Sequence, residues 1–198
     1  MKYTLLLFFT FSLFLSLGQM SEDEIEKHRA DHFNSLTDTA AHLLNEEEIA
    51  HFQGLDYFPF DDNYRIVATF TKDKGKRFEM PTSTARTPIY RRYGYLDFII
   101  KGTKYRLEAY QNIDLRSDKE YRDYLFVPFR DKTSGKLTYG GGRYLDIRIP
   151  EGDTILLDFN LLYNPYCSYS YRYSCPIPPA VNTLDIEINA GEKTPKGH

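Results

Sequence analysis

Tryptophan is absent from this chain, cysteine occurs only twice, and neither sign of charge dominates. The stretch around the two cysteines holds no further cysteine or histidine, so it lacks the four ligands of a structural zinc site. With 25 basic and 28 acidic residues, the net charge is −3. Nucleic-acid binding and electrostatic attachment to membranes both require a basic surface. We therefore expect neither a nucleic-acid partner nor a polybasic membrane contact.

Several catalytic and cofactor motifs are also missing. The chain has no Gly-x-Ser-x-Gly nucleophile elbow, and no Lys-Ser/Thr or helix start follows the glycine run 140–142, so neither nucleotide fingerprint fits. These glycines fit a bent strand better. His28 and His32 have a spacing that can share a metal, but the glutamate of the protease motif is missing between them. We expect them to flank a buried helix stripe, and we predict no metal and no cofactor.

The N-terminus resembles a secretory signal. Lys2 precedes an apolar run that ends in small residues, Ser16 and Gly18. The run is too short for a membrane span, which needs about 20 apolar residues, and acidic residues follow from Glu22 without a basic cluster. We predict a signal peptide at 1–19 and a single β-rich domain at 20–198. The mature protein is then periplasmic or extracellular and is not inserted in a membrane.

The two cysteines, Cys167 and Cys175, lie close together in the sequence. An exported protein folds where thiols oxidise, so we expect a disulfide between them, which leaves no thiol free as a nucleophile. Tyrosines are concentrated around this pair. They either stack on a sugar or aromatic ligand or alternate along an edge hairpin.

Secondary-structure signals divide the chain into a short helical part and a long β part. Ser21 and Asn45 each begin a capping box, which predicts two short N-terminal helices. From Tyr64 onward, β-branched and aromatic runs alternate with turn residues, and Lys101-Gly102-Thr103 predicts a hairpin turn. The fold class is mainly β (α+β), an antiparallel sandwich or barrel of about eight strands. The predicted strands are 64–70, 77–80, 94–100, 104–110, 125–129, 143–149, 154–160 and 183–189.

One predicted hairpin, 143–149 with 154–160, suggests a site. If the apolar residues of both strands face the interior and the strands pair, Asp146 lies directly opposite Asp158. Like charges at such positions are unfavourable. Either Arg143 or Arg148 neutralises them on a solvated face, or the two carboxylates have separated pKa values and act as acid and base. A different register would remove the pair.

Other polar residues flank this hairpin. The segments before and after it bring additional charged, amide and hydroxyl groups towards its edge. The side chains that we expect to bind a ligand are Arg130, Tyr139, Arg143, Asn160 and Asn164.

Three long motifs resemble a known family. They are Phe126-Val-Pro-Phe-Arg-Asp-Lys-Thr-Ser-Gly, Tyr139-Gly-Gly-Gly-Arg-Tyr-Leu-Asp, and Asp158-Phe-Asn-x-x-Tyr-Asn-Pro-x-Cys with its later Cys175-Pro-x-Pro-Pro. Together with Phe52-Gln-Gly-Leu-Asp-Tyr-Phe-Pro and Ala190-Gly-Glu, they closely resemble the prokaryotic domain of unknown function 1684 family over nearly the whole mature chain. The resemblance implies no activity and no catalytic residues.

We therefore carry three functional hypotheses. The first is an envelope or secreted binding module for a small polar ligand or glycan. The second is a hydrolase that uses Asp146 and Asp158 as acid and base, which requires a cleft and an abnormally titrating carboxylate. The third is a structural or interaction protein of the cell envelope.

Overall fold

The computed structural model describes residues 20–196, so the predicted signal peptide lies outside the described residues. Two helices come first and seven β-strands follow. The helices are α1 (Glu22–Thr37) and α2 (Glu46–His51), and the strands are β1 (Arg65–Lys72), β2 (Arg77–Glu79), β3 (Ile89–Ile100), β4 (Thr103–Asn112), β5 (Tyr124–Phe129), β6 (Arg143–Arg148) and β7 (Thr154–Asp158). No helix in residues 20–196 is long and apolar enough to cross a membrane.

The strands form one antiparallel sheet that curls into a half-barrel. Its order is β6-β5-β4-β3-β1-β7, with the short β2 paired to β3. Lys101 and Gly102 form the two-residue turn between β3 and β4, and both have positive φ angles. That is the backbone conformation of a type I′ hairpin turn. The predicted β-rich fold class and this turn are both confirmed.

Capping residues start both helices as the sequence predicts. The Ser21 hydroxyl accepts from the backbone of Glu24, whose side chain accepts in return from the backbone of Ser21. Asn45 and Glu48 repeat the arrangement at α2. Each box satisfies two backbone donors that the first turn of a helix leaves without partners.

The predicted strand at 183–189 is wrong. This segment makes no ladder and bends at residues 185–186; Thr183 forms one isolated bridge with Arg130. Carbonyl oxygens of this segment and the residues after it, including those of Ile188 and Glu192, accept hydrogen bonds from the guanidinium of Arg143. A buried side chain thus partially replaces the neighbouring strand that these carbonyls would otherwise require.

The inward faces of β6 and β7 are predicted correctly, but their pairing is not. Leu145, Ile147, Leu157 and Phe159 are all buried in the same core. However, β6 pairs with β5 and β7 pairs with β1, so the two strands lie at opposite ends of the sheet order. Because the sheet is curled, β6 and β7 contribute side chains to the same core although they do not form a hairpin.

The sheet has apolar side chains on both faces. The larger cluster fills the concave side, with Leu125, Val127 and Phe129 of β5 among its members. The smaller cluster, on the opposite face, includes Phe126 and Tyr144. Both faces of β5 and the start of β6 are covered, so Arg143 is buried, whereas Asp146 and Arg148 further along β6 are exposed.

Candidate functional site

A cavity of about 540 Å³ lies between α1 and the end of the sheet. The helix supplies one wall, β6 supplies the floor, and the segment after β7 supplies the other wall. Its lining residues are His28, Asp31, His32, Ser35, Leu145, Asp146, Leu161, Tyr163 and Tyr166. Its volume lies within the range of about 300–1,000 Å³ typical of small-molecule sites.

Asp146 provides the carboxylate of this cavity. The hydroxyl of Tyr124, on the adjacent strand β5, donates to Oδ1 at 2.7 Å. The hydroxyl of Tyr163 donates to Oδ1 and Oδ2, each at 2.9 Å. Tyr163 is positioned by reciprocal backbone hydrogen bonds with Tyr144, the β6 neighbour of Asp146. The carboxylate is therefore fixed from two sides.

Desolvation raises the pKa of the Asp146 carboxyl. Its side chain is open to solvent through the cavity mouth, but protein atoms surround it on the remaining sides. The hydrogen bonds from Tyr124 and Tyr163 act in the opposite direction, and the charges of Arg148 and His28 assist them. Desolvation by the surrounding protein atoms outweighs these effects, and the net direction is upward.

The helix wall contributes two imidazoles and one carboxylate. Burial lowers the pKa of His32 to about 4, with a further contribution from nearby His28. His32 is therefore neutral at pH 7, and its Nδ1 shares a hydrogen bond of 3.1 Å with the hydroxyl of Tyr57. Asp31 lines the same wall. This wall therefore offers hydrogen-bonding groups and a carboxyl group.

Aromatic rings form the wall opposite the helix. The rings of Tyr163 and His32 meet edge to face with centroids 6.4 Å apart, and Tyr166 lies 6.5 Å from the same imidazole. The cavity thus combines ring surfaces with a fixed carboxylate. This combination can stack against a sugar ring or a cation while accepting its hydrogen bonds.

The predicted pair of Asp146 and Asp158 is wrong. Asp146 is registered opposite Phe126, whereas Asp158 is registered opposite Arg65. Arg65 Nε donates to Asp158 Oδ2 at 2.9 Å, and both side chains are nearly buried. Asp158 Oδ1 also accepts from the backbone of Asn160. An opposite-charge cross-strand pair has replaced the like-charge pair that a hairpin would have produced.

Three of the predicted ligand-binding residues are buried outside the cavity lining. Arg143 forms an ion pair with Asp131 at 2.8 Å, and both side chains are 1% exposed. The amide of Asn160 exchanges hydrogen bonds with the backbone of Asp61. The backbone of Asn164 donates to Glu192 Oε2 at 2.8 Å. These contacts tie distant segments of the chain together.

The other two predicted ligand-binding residues also lie outside the cavity lining. Arg130 donates to the carbonyl oxygens of Gly140 and Pro178. Tyr139 is half-buried beside Cys167, and desolvation first, then its proximity to Cys167, raises the pKa of the Tyr139 hydroxyl. Of the seven residues predicted for catalysis or ligand binding, Asp146 alone lines the cavity.

Both cysteines are free thiols in this structure, so the expected disulfide is not formed in it. They are nevertheless neighbours, because the backbone N–H of Cys167 donates to Cys175 Sγ at 3.2 Å. Within residues 20–196, no group of three or more His, Cys, Asp and Glu side chains could hold a metal ion.

Sequence reasoning missed most of the cavity wall. His28 and Asp31 come from a helix more than 100 residues before Asp146, so no local pattern links them. One available signal was the spacing of His28 and His32, which places both imidazoles on one face of the first helix. We interpreted these two residues as flanking the buried stripe of that helix. Tyr124 carried no distinguishing pattern in a tyrosine-rich chain, and Tyr163 is part of a family motif to which no role was attached.

Comparison with known proteins agrees with this fold. A solution NMR structure of an uncharacterised protein from gene locus rrnAC0354 of Haloarcula marismortui is similar, with 37% sequence identity and a TM-score of 0.68. The match covers 89% of this chain and 96% of that one. No curated protein matches this chain. The family model described as "Protein of unknown function (DUF1684)" matches residues 50–193, and the chain therefore belongs to the DUF1684 family.

Proposed function

We propose that this protein is an exported binding module that takes a small polar ligand, of the size and hydroxyl content of a glycan unit, into the cavity above Asp146. The observation that carries the proposal is the Asp146 carboxylate, fixed by two tyrosine hydroxyls at the floor of a 540 Å³ cavity. A carboxylate held in this way is available to accept ligand hydroxyl or ammonium donors without reorganising.

The charged and polar groups that line the cavity support the same ligand class. His32 is neutral at pH 7, and Asp31 and Asp146 place two carboxyl groups in the lining. An anionic ligand would meet these acids, whereas a neutral polyol or an amino sugar would find acceptors for its donors. The rings of Tyr163 and Tyr166 offer apolar surface to the C–H faces of a sugar.

Isothermal titration calorimetry and NMR would test the proposal with a panel of neutral sugars, amino sugars and their disaccharides. We expect at least one compound to bind saturably and to shift resonances of Tyr163, Tyr166 and His28. Asp146→Asn should weaken that binding by about tenfold or more, since hydrogen bonds to a charged group contribute about 1.5–3 kcal/mol.

Asp185→Asn is the matched control. Its carboxylate is 88% exposed, pairs with Lys132 and is not part of the lining. We expect affinity in this variant to equal that of the wild type. Absence of saturable binding across the panel, or equal affinity in wild type and Asp146→Asn, would contradict the proposal.

A hydrolase is the second candidate, and the raised pKa of Asp146 in a cleft favours it. The chemistry would require Asp146 as the acid, with a group of the helix wall such as His28 or Asp31 as its partner, in place of Asp158. Turnover of chromogenic glycosides or esters that is lost in Asp146→Asn would support it. Saturable binding without turnover would favour the binding module.

Export is part of the proposal and rests on the charged start and apolar run of residues 1–19. Expression of the full chain in a bacterial host, followed by N-terminal sequencing of the periplasmic fraction, tests it. We expect a mature N-terminus near Met20. Recovery of the uncleaved chain in the cytoplasm would contradict export and would leave the binding proposal unaffected.

A further inference from the structure

The structure holds its two cysteines side by side. Cys167 lies in a 3₁₀ turn, Tyr166–Ser168, and its backbone N–H donates to Cys175 Sγ at 3.2 Å. Ser83, in the connection between β2 and β3, fixes Cys175 from the other side. Ser83 Oγ accepts from the Cys175 backbone at 3.1 Å, and the Ser83 backbone donates to the Cys175 carbonyl at 2.9 Å. The reduced pair is therefore held in position before any bond forms.

The two thiols have different surroundings. Cys175 is buried, whereas Cys167 is partly accessible. Hydrogen bonds from the Cys175 thiol first, and then from the Ser83 and Tyr139 hydroxyls, lower the pKa of Cys167 to about 6 in spite of its burial. The neighbouring Cys167 and burial raise the pKa of Cys175. An accessible thiolate next to a buried protonated thiol is the arrangement of an attacking and a resolving cysteine.

We propose that Cys167 and Cys175 form a redox-active dithiol that exchanges with small-molecule disulfides, with Cys167 attacking and Cys175 resolving. The Cys167 thiolate attacks one sulfur of the small disulfide, forms a mixed disulfide and displaces one small thiolate. Cys175 then gives up its proton, attacks Cys167 Sγ and displaces the second small thiolate. The Cys175 proton passes to one of the released thiolates and solvent protonates the other, and the small disulfide is reduced as the protein dithiol is oxidised.

This activity differs from the fixed structural crosslink that the sequence suggests. A structural disulfide resists the glutathione pool, whereas an exchanging pair equilibrates with it. The proposal is also independent of ligand binding, because neither cysteine is part of the cavity lining.

The first test alkylates reduced wild-type protein with iodoacetamide between pH 4.5 and 9 and maps the adducts by mass spectrometry. We expect Cys167 to react first, with a half-maximal rate at about pH 6, whereas an ordinary thiol has its midpoint at about pH 8.5. Tyr139→Phe and Ser83→Ala each remove a donor to Cys167, so each should move that midpoint upward. Tyr171→Phe is the control, because Tyr171 is 91% exposed; its midpoint should not move.

The second test equilibrates the protein in glutathione buffers of graded redox poise. Wild type should interconvert between dithiol and intramolecular disulfide, and Cys175→Ser should accumulate a glutathione adduct on Cys167. Cys167→Ser should form no adduct on Cys175. Circular dichroism verifies the fold of each variant. If a variant does not fold, the alkylation profile of the wild-type protein alone tests the proposal. Inert thiols, preferential labelling of Cys175, or a disulfide that glutathione does not reduce would overturn the proposal.

Discussion

The hydroxyl of Tyr163 donates to both carboxylate oxygens of Asp146, at 2.9 Å each. Tyr163 belongs to the segment that follows β7, and Asp146 belongs to β6 at the other end of the sheet order. This contact therefore joins β6, at one end of the sheet, to the segment that follows β7. It also favours the charged form of Asp146, the one predicted site residue that lines the cavity, against the desolvation that raises its pKa.

Removing the Tyr163 hydroxyl should raise the pKa of Asp146 further, because this hydrogen bond stabilises the charged carboxylate. We expect Tyr163→Phe to shift the Asp146 titration to higher pH, with Tyr124→Phe acting in the same direction. Carboxyl ¹³C NMR measures the titration, and Asp146→Asn assigns the signal. Tyr171→Phe should have no effect. An unchanged or lowered midpoint in Tyr163→Phe would show that this hydroxyl does not stabilise the charged form.

Arg143 and Asp131 form a buried ion pair, so loss of one partner should strongly destabilise the fold. Arg143→Met leaves the Asp131 carboxylate without its cation and should lower the free energy of unfolding by about 3–5 kcal/mol. Arg148→Met breaks the exposed pair with Asp123 and should cost no more than about 1 kcal/mol. Urea denaturation measures both. Equal losses in the two variants would mean that burial of the first pair is energetically unimportant.

Glu192 should make stability depend on pH. Burial raises its pKa to about 8 from an ordinary value of 4.5, so the folded state keeps a proton that the unfolded state releases between these values. Its contribution to stability is fully present below pH 4.5 and is lost as pH rises towards 8, with a slope of at most about 1.4 kcal/mol per pH unit.

Glu192→Gln, which mimics the protonated acid, separates this effect from other titrations. The free energy of unfolding of wild type relative to this variant should fall from pH 4.5 to 8 and stay level above 8. Glu187→Gln alters an exposed glutamate and should show no such trend. Urea denaturation across this pH range gives the comparison, and a flat difference for Glu192→Gln would refute the prediction.

Gly191 is required by its backbone conformation and by its neighbours. Its φ angle is +71°, and an added Cβ would lie 2.8 Å from the carbonyl oxygen of Leu162. Gly191→Ala should therefore destabilise the protein by at least about 1–2 kcal/mol. Gly152 has no atom within 4 Å of the equivalent position, so Gly152→Ala should cause no loss. Thermal unfolding of the two variants tests this contrast.

Local patterns predicted what depends on neighbours in the chain. The capping boxes at Ser21 and Asn45 and the turn at Lys101-Gly102 involve residues at most three positions apart, and each forms as predicted. Alternation also identified the inward face of β6 and of β7, because period 2 is a property of a single strand. The motifs were sufficient to identify the family.

The partner of each strand, in contrast, depends on the whole sheet. Pairing β6 with β7 would have set Asp146 against Asp158, whereas the observed order gives Asp158 the cation of Arg65 and Asp146 the hydroxyls of Tyr124 and Tyr163. The sequence contains these partners but does not indicate their proximity, since they lie between 17 and 93 residues away.

By itself, the sequence determined the helix starts, the turn, the buried faces of the strands and the family. Tertiary structure alone decided which residues share the cavity, because α1, β6 and the segment after β7 meet only when the sheet curls. It also decided that Arg143, Asn160 and Asn164 bind other parts of the same chain. A buried polar group must find partners within the fold, and those partners are set by packing between distant segments.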